Sequence, residues 1–245
     1  RVWPGVIEKL EANGKQVVLS TLAMPSTKRE RKSVAELCEA GMVEVNDVTA
    51  FPFASGKPFV AGPFLNVYNE ESAAFLAARG AATICLPVEL PLSSAAAIAA
   101  ACPDVELEYF TFGRLPLALS GRCYHARIHG LHKDACQFVC EKDADGLAVA
   151  TIDGQDFLAV NGIQTLSHGV QAFCPTRDEL AASGIRRLRI SPHTADMMKT
   201  GRVYRDLLDG AITAGEARAD LATLGLPGKL VDGFSSASAG CRPAA

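Results

Sequence analysis

Three cysteines and three histidines fall in one short stretch, CYHARIHGLHKDACQFVC, spanning residues 123 to 140. Thiolate and imidazole are the side chains that hold zinc and iron-sulfur centres. Cys136 and Cys140 are four apart, so on a helix their sulfurs share a face, and Cys123 can reach them from the end of a preceding strand. Arg122, Arg127 and Lys133 stand nearby, where positive charge lowers thiol pKa values and offsets a thiolate-bound centre. Cys-x12-Cys-x3-Cys is not a general zinc pattern, and incidental cysteines beside a solvated basic loop are the plain alternative; the spacing favours a metal site. Zinc takes a fourth ligand, for which His125, His129 and His132 are candidates. A cubane 4Fe–4S cluster takes a fourth cysteine.

The other five cysteines supply no obvious donor. Cys38 sits on the apolar side of a predicted helix and reads as a core residue, and Cys85 and Cys102 read as packing. Cys174 and Cys241 carry no signal.

A second group of polar residues gathers where strands are expected to end. Asn46, Asp47, Asn66, Tyr68, Asn69 and Glu89 all fall there. Helix capping accounts for Asp47 and Asn69, whereas Asn66 and Glu89 are the better pocket residues, with Glu89 able to act as acid, base or hydrogen-bond acceptor. No nucleophile–base pair is visible, and Ser120 beside Arg122 has no His and Asp in reach to make it a hydrolase serine. His168 and His193 read as loop histidines, although His193 follows the last predicted strand and could face the same pocket.

These residues need a scaffold, and the chain spells one. Short apolar runs at 16–21, 43–47, 58–62, 82–87, 107–112 and 187–191 read as six buried strands. Helix signals separate them: Ser33 with Glu36 as a capping box, Asn69 before two glutamates, and Thr176 with Glu179. Strand–helix units of roughly twenty to thirty residues, without a Gly-x-Gly-x-x-Gly after the first strand, favour a (β/α) barrel over a Rossmann sheet. Six strands are fewer than a barrel's eight, and residues 4–13 read as a helix without its strand, so the first strands are expected upstream of Arg1. The whole chain reads as one domain, with an insertion at 121–169 holding a loop, a helical turn or two and a small hairpin, and a flexible tail at 226–245.

Composition narrows the partners. Twenty-four Lys and Arg against 27 Asp and Glu give no basic excess for a polyphosphate backbone, so nucleic acid is not an expected partner. The longest apolar stretch, 90–103, is too short and too interrupted to span a bilayer. Eight cysteines without a secretory signal point to reduced thiols and a cytoplasmic protein.

The segment LPLALSGRCYHARIHGLHKDACQFVC, followed by FLAVNGIQTLS, resembles the collagenase-like peptidase family. GKQVVLSTLA, VEVND, PFVAGPFLNVYN and CLPVELPLS extend the likeness from about Gly14 to Pro192. The resemblance implies a barrel protein with a 4Fe–4S cluster on Cys123, Cys136 and Cys140 and a fourth cysteine upstream of Arg1. It also implies a homologous, UbiU-like partner in a heterodimer and a part in oxygen-independent hydroxylation of a ubiquinone-precursor ring, with prephenate as oxygen donor. A peptidase and a zinc-stabilised interaction module are the competing readings.

Overall fold

A computed structural model describes residues 2–132 and 135–241. Six parallel strands run in sequence order: β1 (Leu19–Ser20), β2 (Val43–Val45), β3 (Phe59–Ala61), β4 (Ala81–Cys85), β5 (Glu106–Leu119) and, after a long excursion, β9 (Ile185–Ile190) beside β5. Helices return the chain between them, as parallel pairing requires. Among the described residues these strands make a curled, open half-barrel, the coarse form of the expected fold.

Helix α2 (Lys28–Ala40) begins earlier than the sequence suggested. Both Thr27-x-x-Glu30 and Ser33-x-x-Glu36 match a capping box. Thr27 is the cap: Glu30 N donates to Thr27 Oγ1 at 3.1 Å while Thr27 N donates to the Glu30 carboxylate at 2.8 Å. The register that results turns Val34 and Cys38, four apart, into the core at 1% exposure each. The expected caps Asn69, on α4 (Glu70–Ala77), and Thr176, on α7 (Arg177–Ser183), are found.

The strands have two different faces. Val43, Val45, Ile84, Leu107 and Tyr109 point toward the helices and join one core with Phe59 and Ile98 of α5 (Leu92–Ala101). Their neighbours Glu44, Cys85, Glu108 and Phe110, together with Arg189 of β9, line the opposite, concave side. Alternation along a strand thus separates an apolar exterior from a charged interior.

Strand β5 outgrows the arc. Its first half pairs in parallel with β4 and β9, and beyond Phe112 it pairs antiparallel with β8 (Gln164–Ala172). Gly113 marks the change, with φ of +124° and room for no Cβ: one would come within 2.6 Å of Ser191 Cβ. The insertion carries α6 (Tyr124–Ile128), a 3-10 turn (Val139–Asp143), β6 (Leu147–Ala150) and β7 (Asp156–Asn161). The expected single hairpin is a three-stranded meander β6–β7–β8, turned at Asp153-Gly154 and Asn161-Gly162. Both turn dipeptides suit the positive φ that their glycines adopt.

Helices α8 (Met197–Asp209) and α9 (Ala214–Ala222) close a second core around Phe112, Val170, Tyr204, Leu207 and Leu221. Within the segment expected as a tail, β10 (Leu230–Val231) pairs with β8, and Val231 is 5% exposed. No described helix is long and apolar enough to cross a membrane.

Candidate functional site

The concave side of the half-barrel and the insertion enclose a cavity of about 590 Å³. On the barrel side, Arg189 bridges two glutamates, Nε to Glu108 and Nη2 to Glu44. Glu44 Oε1 also accepts from Ser20 Oγ at 3.1 Å and Asn46 Nδ2 at 2.9 Å. Burial alone would raise the Glu44 carboxyl, but these bonds and the Arg189 charge hold it below its ordinary value. Asn46 sits this close because Gly62 has no side chain; a Cβ there would come within 2.0 Å of Asn46 Oδ1. Cys85 lies in the same wall, its thiol driven well above the usual range by burial.

The insertion supplies the facing wall through Ala144, Asp145, Asn161 and Gln164. Asp145 reaches across to the end of β9: one oxygen accepts from Thr194 N at 2.9 Å and lies 3.3 Å from His193 Nδ1, and the other accepts from the Thr194 hydroxyl. Burial works against the Asp145 carboxylate, but the Thr194 bonds and His193 hold its pKa low. His193, in the loop that follows β9, does line the cavity, with its side chain 4% exposed and its pKa lowered mainly by burial, against the pull of Asp145. Arg114, 5% exposed, donates to the carbonyls of Ser167 (2.7 Å) and His168 from the same wall.

Asn66 and Glu89 both line a smaller pocket of about 220 Å³ that shares Pro63, Phe64, Val88 and Pro116 with the large cavity. Asn66 adopts the left-handed conformation (φ 57°) after the 3-10 turn Pro63–Leu65, and Glu89 accepts from Tyr68 Oη at 3.4 Å. Asp47 and Asn69 are caps, the former accepting from Thr49 N at 2.9 Å and the latter from Ser72 N at 2.8 Å. His168 lies in β8, not a loop, 3.3 Å from Asp156. Ser120 Oγ accepts from Arg122 N at 3.2 Å.

The cysteine stretch folds differently from its simplest reading. Cys123 caps α6, accepting from Ala126 N at 3.4 Å, while Cys136 lies in coil and Cys140 in the 3-10 turn, so the last two do not share an α-helical face. Cys123 and Cys140 are half-buried, Cys136 is exposed, and all three are free thiols. The Cys140 pKa is raised, first by burial and then by the Cys136 and Cys123 thiols, which are near enough to act on it. The expected lowering by basic neighbours is thus reversed at Cys140; Lys133 lies outside the described residues. Among the described residues no group of three His, Cys, Asp or Glu side chains stands ready to enclose a metal ion.

His125 is unavailable as a zinc ligand. It is fully buried, its Nδ1 accepts from Gly162 N at 3.2 Å, and its Nε2 therefore carries the proton and donates to Asp143 Oδ2 at 3.0 Å. His129 and His132 are exposed. Cys38, Cys102 and Cys174 are buried packing residues, as expected for the first two.

Sequence reasoning missed Glu44, Glu108, Arg189, Arg114 and Asp145. The first three had a signal: each is a charge between two apolar residues of a buried strand, as in Val43-Glu44-Val45. Such charges are rarely retained for stability alone.

Fold and cavity define a mixed α/β protein with a polar chamber inside an open half-barrel. The chain belongs to peptidase family U32, whose profile matches residues 5–227 and bears out the family read from the cysteine stretch. No solved structure matches it.

Proposed function

We propose that the chain is a UbiV-like member of its family: a protein that holds a 4Fe–4S cluster and acts with a homologous, UbiU-like partner in oxygen-independent hydroxylation of a ubiquinone-precursor ring, prephenate supplying the oxygen. One observation carries the reading. Three free thiols fall within one short stretch of the insertion, and five residues beyond the last of them, Cys140, comes Asp145, a wall residue of the cavity. Their donor chemistry fits: three soft ligands, accessible enough to be loaded, with Cys140 in electrostatic reach of the other two. Cys123, Cys136 and Cys140 would supply three ligands of such a cluster, and a donor outside these three the fourth. A bound cluster would supply one-electron chemistry; the chain's own residues shape the cavity and the adjoining Asn66–Glu89 pocket for the ring.

The family's title suggests peptidase chemistry instead. That needs an activated nucleophile, and burial keeps the Cys85 thiol protonated, the opposite of activation.

The test is iron, acid-labile sulfide and zinc per chain on anaerobically prepared protein, with the visible spectrum. About four irons and four sulfides are expected, lost in Cys123→Ser, Cys136→Ser or Cys140→Ser and kept in Cys38→Ser. One zinc and no sulfide overturns the cluster in favour of a structural or hydrolytic metal site.

A further inference from the structure

We propose that His125, Asp143 and Asn161 are positioning residues for the three thiols. None of them is a ligand; together they hold the turn that bears Cys123 against the turn that bears Cys140, and metal affinity depends on that frame. The inference rests on the reading of those thiols as metal ligands, and it holds for a single ion as for an iron-sulfur cluster.

Two of the thiols lie on short, separate turns. Cys123 opens the five-residue helix α6, where its Sγ accepts from Ala126 N at 3.4 Å, and Cys140 lies in the 3-10 turn Val139–Asp143. Elements this short have little stability of their own, so their separation has to be fixed by something else. His125, two residues past Cys123, fixes it. Its Nε2 donates at 3.0 Å to Asp143 Oδ2, three residues past Cys140, and its Nδ1 accepts from Gly162 N at 3.2 Å. Asn161, at the end of β7, donates from Nδ2 to the carbonyls of Asp143 at 3.2 Å and Ala144 at 3.4 Å. Both turns are thereby tied to one point, the Asn161-Gly162 turn.

A packing role alone does not account for this residue. At full burial an imidazole carries two polar atoms that a phenylalanine or leucine lacks, and the bonds that satisfy them return little net stability. What a fully satisfied buried network confers is a fixed geometry. Metal sites held by partners outside the ligand set typically lose roughly 10–100-fold in affinity when those partners are removed. Cys136 stands outside the frame: it is exposed, in coil, and its Sγ accepts from Phe138 N at 3.3 Å. The frame thus acts on Cys123 and Cys140.

The test is anaerobic titration of the reduced, metal-free full chain with Co²⁺, read by the thiolate-to-cobalt charge-transfer absorption, which reports ligation by sulfur. His125→Phe keeps a buried ring but neither hydrogen bond, and should bind Co²⁺ at least about tenfold more weakly than wild type, with sulfur ligation still visible at saturation. His125→Gln, whose amide can accept from Gly162 and donate to Asp143, should recover most of that loss. Asn161→Ala, which leaves the buried ring in place, should weaken binding in the same direction. Val34→Ala opens a cavity in the core beneath α2 and should lower the melting temperature without changing Co²⁺ affinity, which separates positioning from a general loss of stability. Equal Co²⁺ affinity in wild type, His125→Phe and Asn161→Ala overturns the proposal. So does an equal weakening in Val34→Ala, or wild type that binds no Co²⁺ through sulfur. Iron and sulfide analysis answers separately for the cluster: cobalt held through sulfur in a chain that assembles no cluster would sink the cluster and leave the frame standing, whereas a cluster retained as tightly by His125→Phe as by wild type would do the reverse.

Discussion

His125 Nε2 lies 3.0 Å from Asp143 Oδ2, and that bond ties the turn begun by Cys123 to the turn that carries Cys140. The same imidazole accepts from Gly162 at the β7–β8 turn, so one buried ring fastens three parts of the insertion.

Replacing His125 therefore loosens the loop as a whole. His125→Ala leaves a cavity and an unpaired Gly162 N–H, and should lower stability by about 2–4 kcal/mol. For a chain of this size that is a fall of roughly 4–16 °C in the melting temperature. His129→Ala, on an exposed neighbour, should change stability by less than about 0.5 kcal/mol.

Arg189 should be harder to lose than either glutamate. Arg189→Met leaves Glu44 and Glu108 facing each other in a buried wall and should cost about 3–5 kcal/mol by urea unfolding at pH 7. Glu44 also gives the effect a pH signature. Its folded pKa lies below the ordinary 4.5, so its contribution is complete above that value and disappears as pH falls through the folded pKa. Wild type should lose more stability than Glu44→Gln between pH 5 and lower pH; parallel curves would contradict the assignment.

His193 should titrate low. Burial lowers its pKa from 6.5 while Asp145 pulls the other way, and the Arg114 charge lowers it slightly further. Proton NMR should place it below 6.5 in wild type and lower still in Asp145→Asn. The stability that a neutral buried His193 contributes is whole above pH 6.5 and shrinks as pH falls toward the folded value. An unchanged value in Asp145→Asn would show that the two side chains do not interact.

Two superficially equal capping signals should separate cleanly. Thr27→Ala removes the cap of α2 and should cost about 1 kcal/mol. Ser33→Ala, inside the helix, should be neutral or slightly stabilising, because alanine is the better helix former. Thermal melts of the two variants decide it.

What could be read early was periodic or local. Six strand runs, the caps at Asn69 and Thr176 and the turn pairs Asp153-Gly154 and Asn161-Gly162 are carried by neighbouring residues, and all are found. Cys38 declared itself a core residue by its helical spacing with Val34. The α2 boundary was ambiguous because two capping boxes follow one another in sequence, and only the reciprocal Thr27–Glu30 hydrogen bonds of the folded helix select between them.

The candidate site divides along the same line. Family membership and the three clustered cysteines were legible in the chain, because spacing and residue type are one-dimensional properties. The Glu44–Arg189–Glu108 array joins strands separated by up to 145 positions, and Asp145 meets His193 from 48 residues away. Parallel pairing of β5 with both β4 and β9 brings the glutamates to the arginine, and the meander carries Asp145 back over the chamber. Alternation within each strand made those charges face inward. Which charges became neighbours was decided by the order in which the strands assembled, a choice that no local pattern encodes.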